Sequence, residues 1–103
     1  MRDQRTRVKW LFRPGYKADQ YDAVRAACVD GASLPETYAL WAQYSHASDQ
    51  RMHKLGRYVV RVDVEPGPFQ AWCEASGRPL DKDARMAYVQ EIGEKRLRGD
   101  PAG

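Results

Sequence analysis

The sequence predicts an α+β domain, mostly helical, in which a two-stranded β-ribbon packs on helices in the order β-α-α-β-α-α. Three observations carry that reading. Two short runs alternate with period two, at residues 6–12 and 57–64. Every other long stretch repeats its apolar residues at helical spacing. Two strands alone are too few to stand in water, so helices must cover one face of the ribbon. At 103 residues the chain suits a single domain spanning 1–103.

The first strand is read from RTRVKWLFR, residues 5–13. Thr6, Val8, Trp10 and Phe12 share one face, which is expected to turn inward, while Arg7, Lys9 and Leu11 share the other. Pro14-Gly15 stops the strand and opens a turn. A short helix follows over about 19–29, with Tyr21, Val24 and Cys28 on one stripe, Asp19 to cap its start and Asp30-Gly31 to end it.

Ser33-Leu34-Pro35-Glu36 reads as a capping box, in which Ser33 and Glu36 satisfy each other's backbone N–H groups and Pro35 sits in the first turn. The long helix it opens is expected to run to Leu55 before Gly56. Its stripe is Leu34, Tyr38, Trp41, Met52 and Leu55, with Ser45 and Ser48 in the middle, and it is the natural cover for the ribbon. The second strand, Arg57 to Val64, puts Tyr58, Val60, Val62 and Val64 on one face. Val59, Arg61 and Asp63 lie on the other, where Arg61 and Asp63 are either exposed or turned toward Arg7 or Lys9. Pro66-Gly67-Pro68 breaks the strand, and a short helix from Pro68 to Ser76 buries Phe69, Trp72 and Cys73 before Gly77. Pro79-Leu80-Asp81 starts a last helix over about 82–97, with Ala84, Tyr88, Val89, Ile92 and Leu97 inward and a frayed tail over 98–103. A connection of about 45 residues between the strands allows either strand direction.

Charge is unevenly placed. The net charge is +3, but residues 1–17 carry six bases against Asp3, so +5, and the other 86 residues carry −2. The candidate binding surface is therefore basic: Arg5, Arg7, Lys9, Arg13 and Lys17. Clustered cations of this kind neutralise phosphates, meet an acidic protein partner, or guard an edge strand against pairing with other molecules. A free ribbon edge also allows pairing with a second copy, giving a homodimer through a continuous sheet.

The recognisable chemistries are missing from the pattern. His46, Asp49 and His53 share a helix face, yet the two histidines lie ~10.5 Å apart along the axis, too far for one ion on a straight helix. No H-x-x-x-H and no Cys-x-x-Cys accompanies them, so no metal and no cofactor is expected. There is no Gly-x-Ser-x-Gly and no Gly-rich phosphate loop, and Glu91 and Glu94 read as exposed charge beside Lys95 and Arg98. No catalytic residue is assigned, and an enzyme would need a site assembled from distant residues. Cys28 and Cys73 are expected as reduced core thiols. With no membrane-length apolar run and no leader pattern, the expectation is a cytoplasmic protein.

The stretch RYVVRVDVEPGPFQAWCEASGRPLDKDARMAYVQE resembles a family of short bacterial proteins without an assigned activity. Its pattern falls here on Thr37, Tyr38, Trp41, Val59, Val60, Val62, Asp63, Pro66, Phe69, Trp72, Cys73, Gly77, Asp81, Ala84 and Arg85. The resemblance covers about residues 33–92 and leaves the basic strand outside. It implies a bacterial setting, often near phage or other mobile DNA, and no catalytic residues. By analogy, small proteins in that setting act as binders, including inhibitors of host defence complexes. The reading drawn is a non-enzymatic protein that docks on a macromolecular protein partner, as an inhibitor or accessory factor. The alternatives are a nucleic-acid-binding protein using the basic strand, and an enzyme whose site leaves no local signature.

Overall fold

The computed structural model describes residues 9–99. The elements run β1 (Lys9–Gly15), α1 (Tyr21–Ala27), a 3₁₀ turn (Gly31–Ser33), α2 (Tyr38–Lys54), β2 (Arg57–Asp63), α3 (Pro66–Ser76) and α4 (Lys82–Leu97). This is the α+β order read from the sequence, with helices dominating. Thr6 and Val8, at the start of the expected first strand, lie outside the described residues.

The strands are parallel, which the sequence left open. Trp10 pairs with Tyr58, Phe12 with Val60 and Pro14 with Val62, while Leu11 pairs with Val59 and Arg13 with Arg61. Parallel strands need a long crossover between them, and residues 16–56 supply it. Pro14 and Gly15 do not stop β1 as expected; they continue it. A proline is tolerated there because, among the described residues, β1 pairs along one edge only, and on the other its missing N–H removes no ladder bond.

Helices cover both faces of the ribbon rather than one. The crossover lays α2 over the Arg13–Arg61 face, where Arg61 reaches Asp49 and lies over the Trp41 ring. The opposite face holds Phe12, Val60 and Val62, and α4 lies on it, with Gly93 against the Phe12 ring. Two covered faces are the usual condition of parallel pairing. One continuous core results: Phe12, Val62, Val64, Phe69, Cys73, Tyr88 and Val89 join Tyr16, Tyr21 and Val24, with Tyr38 and Trp41 packed against them.

Trp10 departs from its expected place. It shares the Phe12 face but is 44% exposed, with its ring 5.7 Å from that of Tyr58. α4 runs from the carboxyl end of the ribbon toward its amino end and stops four residues after Gly93. On that face Trp10 is not buried, and Leu97, the last residue of α4, is 55% exposed as well.

The helix starts also differ in part. Ser33 does not cap α2; its hydroxyl donates to the Asp30 carbonyl within the 3₁₀ turn. Thr37 caps instead, its Oγ1 accepting from the Leu40 N–H at 3.1 Å. The turn at Gly31 consumes the residues a longer helix needs, and a side chain at Gly31 would strike the Arg25 carbonyl. α1 starts at Tyr21 behind Gln20, without the Asp19 side-chain cap. α2 ends before Leu55, which is 65% exposed rather than part of a buried stripe. α3 begins two residues early, at Pro66, and ends on Gly77 at φ 67° as read. α4 matches its expected span, with Asp81 capping through the Ala84 N–H at 2.9 Å. Of the expected tail, Arg98 and Gly99 form its closing turn, and residues 100–103 lie outside the described residues.

Candidate binding surfaces

The five bases singled out from the sequence do not form one described patch. Arg5 and Arg7 lie outside the described residues, and of Lys9 only its place in β1 is described. Arg13 sits on the α2 face of β1, half-buried, and donates to the Ser48 hydroxyl at 3.4 Å. Lys17 lies beyond the strand, exposed, in an ion pair with Glu65 at 3.0 Å. That carboxylate raises the Lys17 pKa. Alternation put these residues together on paper, but β1 ends at Gly15 and the chain turns before Lys17.

Two surfaces emerge instead, one at each end of the ribbon. At the amino end, Trp10 and Tyr58 stack side by side in register, 44% and 48% exposed. His53 lies 5.6 Å from the Tyr58 ring. Residues 50–58, which lead into β2, carry Arg51, Lys54 and Arg57 and no acid. Arg57 stands opposite Lys9 in the ribbon. No carboxylate among the described residues pairs with Arg57. A tryptophan and a tyrosine half out of water are the side chains that anchor macromolecular contacts.

At the carboxyl end lies an open cleft of about 750 Å³, walled by β1, the 3₁₀ turn, α2, β2 and α4. Arg13, Arg61, Lys82 and Arg85 line it, and no described acidic residue does. Two of these bases are held from behind. Asp49 accepts from Arg61 at both oxygens, at 3.2 and 2.5 Å, and the Pro14 carbonyl takes a third Arg61 N–H at 2.7 Å. Asp30 accepts from Arg85 at 2.9 Å and from the Lys82 N–H at 2.9 Å. The hydrogen bond from Arg85 holds the Asp30 carboxyl below its ordinary range. Burial pushes the neighbouring Tyr16 hydroxyl up to about 12, against the pull of Arg85. Arg61 therefore pairs with Asp49 on α2, and Asp63 stands opposite Gly15 in the ribbon, while Arg7 and the Lys9 side chain lie outside the described residues.

Arg61, Lys82 and Arg85 were not among the residues chosen from the sequence. Their grouping with Arg13 is made by the crossover and by α4, and local spacing carries no trace of it. Arg85 did leave one signal: it falls inside the stripe that buries Ala84, Tyr88 and Val89, and only 4% of it is exposed.

The thiols are buried, as expected, and free. Burial raises both pKa values, although Arg85 draws that of Cys28 the other way. A raised pKa removes thiolate, the form that reacts. Among the described residues no group of three or more His, Cys, Asp or Glu is placed to hold a metal ion. No helix among them is long and apolar enough to cross a membrane. No family model, no curated protein and no solved structure matches this chain. The resemblance over residues 33–92 therefore stands on those residues alone.

Proposed function

We propose that this protein acts without chemistry of its own, by docking on an acidic surface of a macromolecular protein partner through the amino end of its ribbon. The observation that carries the reading is the Trp10–Tyr58 pair. Two large rings are left half-exposed in register, where burying them costs the fold little and gains a partner two anchors. The basic balance of these segments selects the sign of the partner. Arg51, Lys54 and Arg57 lie in the segment that leads into β2, and Lys9 and Arg13 lie in β1, which pairs with it. A role as inhibitor or accessory factor in a bacterial or mobile-element setting follows the family resemblance, and a cytoplasmic location agrees with the two unpaired thiols.

The test is affinity purification from the native host with the intact chain and a Trp10→Ala, Tyr58→Ala variant. Recovery of one stoichiometric protein by the first and its loss from the second is the expected outcome. Recovery of nothing, or equal recovery by both, overturns the proposal.

A second reading is favoured by the like charges facing each other across the ribbon, Arg13 with Arg61, and by the register that sets Arg57 level with Lys9. Such an arrangement suits a polyanion, and exposed rings also stack on unpaired bases. A nucleic-acid ligand would be lost steeply with salt, and on changing Arg57 to Glu. Undetectable low-salt retention of labelled single or double strands ends that reading.

A further inference from the structure

We propose that the cleft at the carboxyl end of the ribbon binds a phosphomonoester carried beside a flat ring, of the nucleoside monophosphate class. The site is separate from the amino-end surface and does not depend on it.

The argument begins with charge. Four bases line the cleft, and two of them, Arg61 and Arg85, have carboxylate partners in Asp49 and Asp30. Arg13 and Lys82 have none among the described residues, which leaves the walls with two uncompensated positive charges. A phosphomonoester carries about −1.5 to −2 near neutral pH, which matches that excess where a simple carboxylate would not. Ser45 and Ser48 also line the space, and their hydroxyls supply further donors.

The second line is shape. A volume of about 750 Å³ is far more than a bare phosphate fills, and it falls within the roughly 300–1,000 Å³ of small-molecule sites. The apolar part of the wall is aromatic. Trp41 is already engaged by Arg61 and by the edge of Tyr16. Tyr44, one turn on along α2, is 61% exposed at the rim, with no ring stacked on it among the described residues. It offers a face to a ligand ring. The third line is position: the cleft opens at the carboxyl ends of parallel strands beside the crossover, where open parallel sheets bind their ligands.

The experiment is isothermal titration at low salt with adenosine monophosphate, inorganic phosphate and adenosine in parallel. Adenosine monophosphate is expected to bind, inorganic phosphate to bind about tenfold or more weakly, and adenosine to give no heat. Lys82→Gln changes an exposed side chain whose backbone N–H still bonds Asp30, so the fold is kept. It is expected to weaken adenosine monophosphate about tenfold, as is Arg13→Gln. Tyr44→Ala is expected to weaken adenosine monophosphate and leave inorganic phosphate unchanged. No heat from either phosphate compound overturns the proposal, and so does binding that Lys82→Gln and Arg13→Gln leave intact. Equal affinity for phosphate and nucleotide, or an unaffected Tyr44→Ala, overturns the assignment of the ring.

Discussion

Arg13 stands directly across the parallel ribbon from Arg61. Like charges facing each other on one sheet face oppose folding, so something must offset them. Asp49 on α2 does so for Arg61, with two hydrogen bonds, while the Pro14 carbonyl and the Trp41 ring fix the rest of the guanidinium. Arg13 turns to the neutral hydroxyl of Ser48. One carboxylate thus holds α2 to β2 and leaves one positive charge facing the cleft.

The first prediction concerns that carboxylate. Asp49→Ala leaves Arg61, 25% exposed, without its partner and opposite Arg13. Removing one member of a fully buried pair costs ~3–5 kcal/mol, and of an exposed pair under ~1 kcal/mol. At this intermediate exposure the expected loss is about 1–2 kcal/mol, read from a urea melt. Added salt should shrink the loss by screening Arg13 from Arg61. A variant as stable as the parent at low salt would show that the pair contributes nothing.

The second prediction is a pH dependence. Hydrogen bonding to Arg85 lowers the Asp30 pKa in the folded chain, in spite of partial burial. A group whose folded pKa lies below its unfolded value of about 3.9 stabilises the fold above that value, and loses the contribution as pH falls through the folded value. Stability should therefore drop on acidification below about pH 4. Asp30→Asn should show a shallower drop there. At neutral pH it should be less stable by ~2–4 kcal/mol, because the Arg85 side chain, 5% exposed, loses its counter-ion. Urea midpoints between acid and neutral pH decide both points.

The third prediction separates two candidate caps. Thr37→Ala should cost ~1 kcal/mol, the usual worth of an N-cap. Ser33→Ala should cost less, because its hydroxyl bonds an exposed turn carbonyl. Thermal melts of the two variants, compared at equal concentration, rank them. The reverse order would restore the longer helix read from the sequence.

That pair of residues marks where the sequence stops being legible. Ser33 with Glu36 and Thr37 with Leu40 both satisfy local capping chemistry, and the choice falls to Gly31, whose tight turn against the Arg25 carbonyl is a tertiary matter. Asp81 and Gly77 had no such rival, so α4 starts and α3 ends where the residues themselves indicate. The alternation of β2 identified the strand but carried no information on its direction, and direction decides that α2 and α4 take opposite faces. The cleft follows from that decision. Arg13, Arg61 and Arg85 lie on three elements, and only the crossover and the docking of α4 make them neighbours. Trp10 failed for a related reason, since alternation gives the face of a side chain and not how deeply that face is covered at its position.

The fourth prediction tests the contact that sets α4 on the ribbon. Gly93 lies mid-helix, where alanine is ordinarily favoured by about 0.8–1.0 kcal/mol. Here an added Cβ would fall well inside contact with the Phe12 ring. Phe12 is itself 7% exposed and set between the strands and the helix, so the ring has little room to move. Overpacking of this kind costs about 1–3 kcal/mol, enough to cancel the helical gain and reverse its sign. Gly93→Ala should therefore lower the melting temperature, and Phe12→Leu in the same chain should recover part of the loss by giving up the ring. Recovery beyond the sum of the two single changes would identify the Phe12–Gly93 contact as the cause. A stabilised Gly93→Ala would instead mean that α4 can lift from the ribbon at no cost.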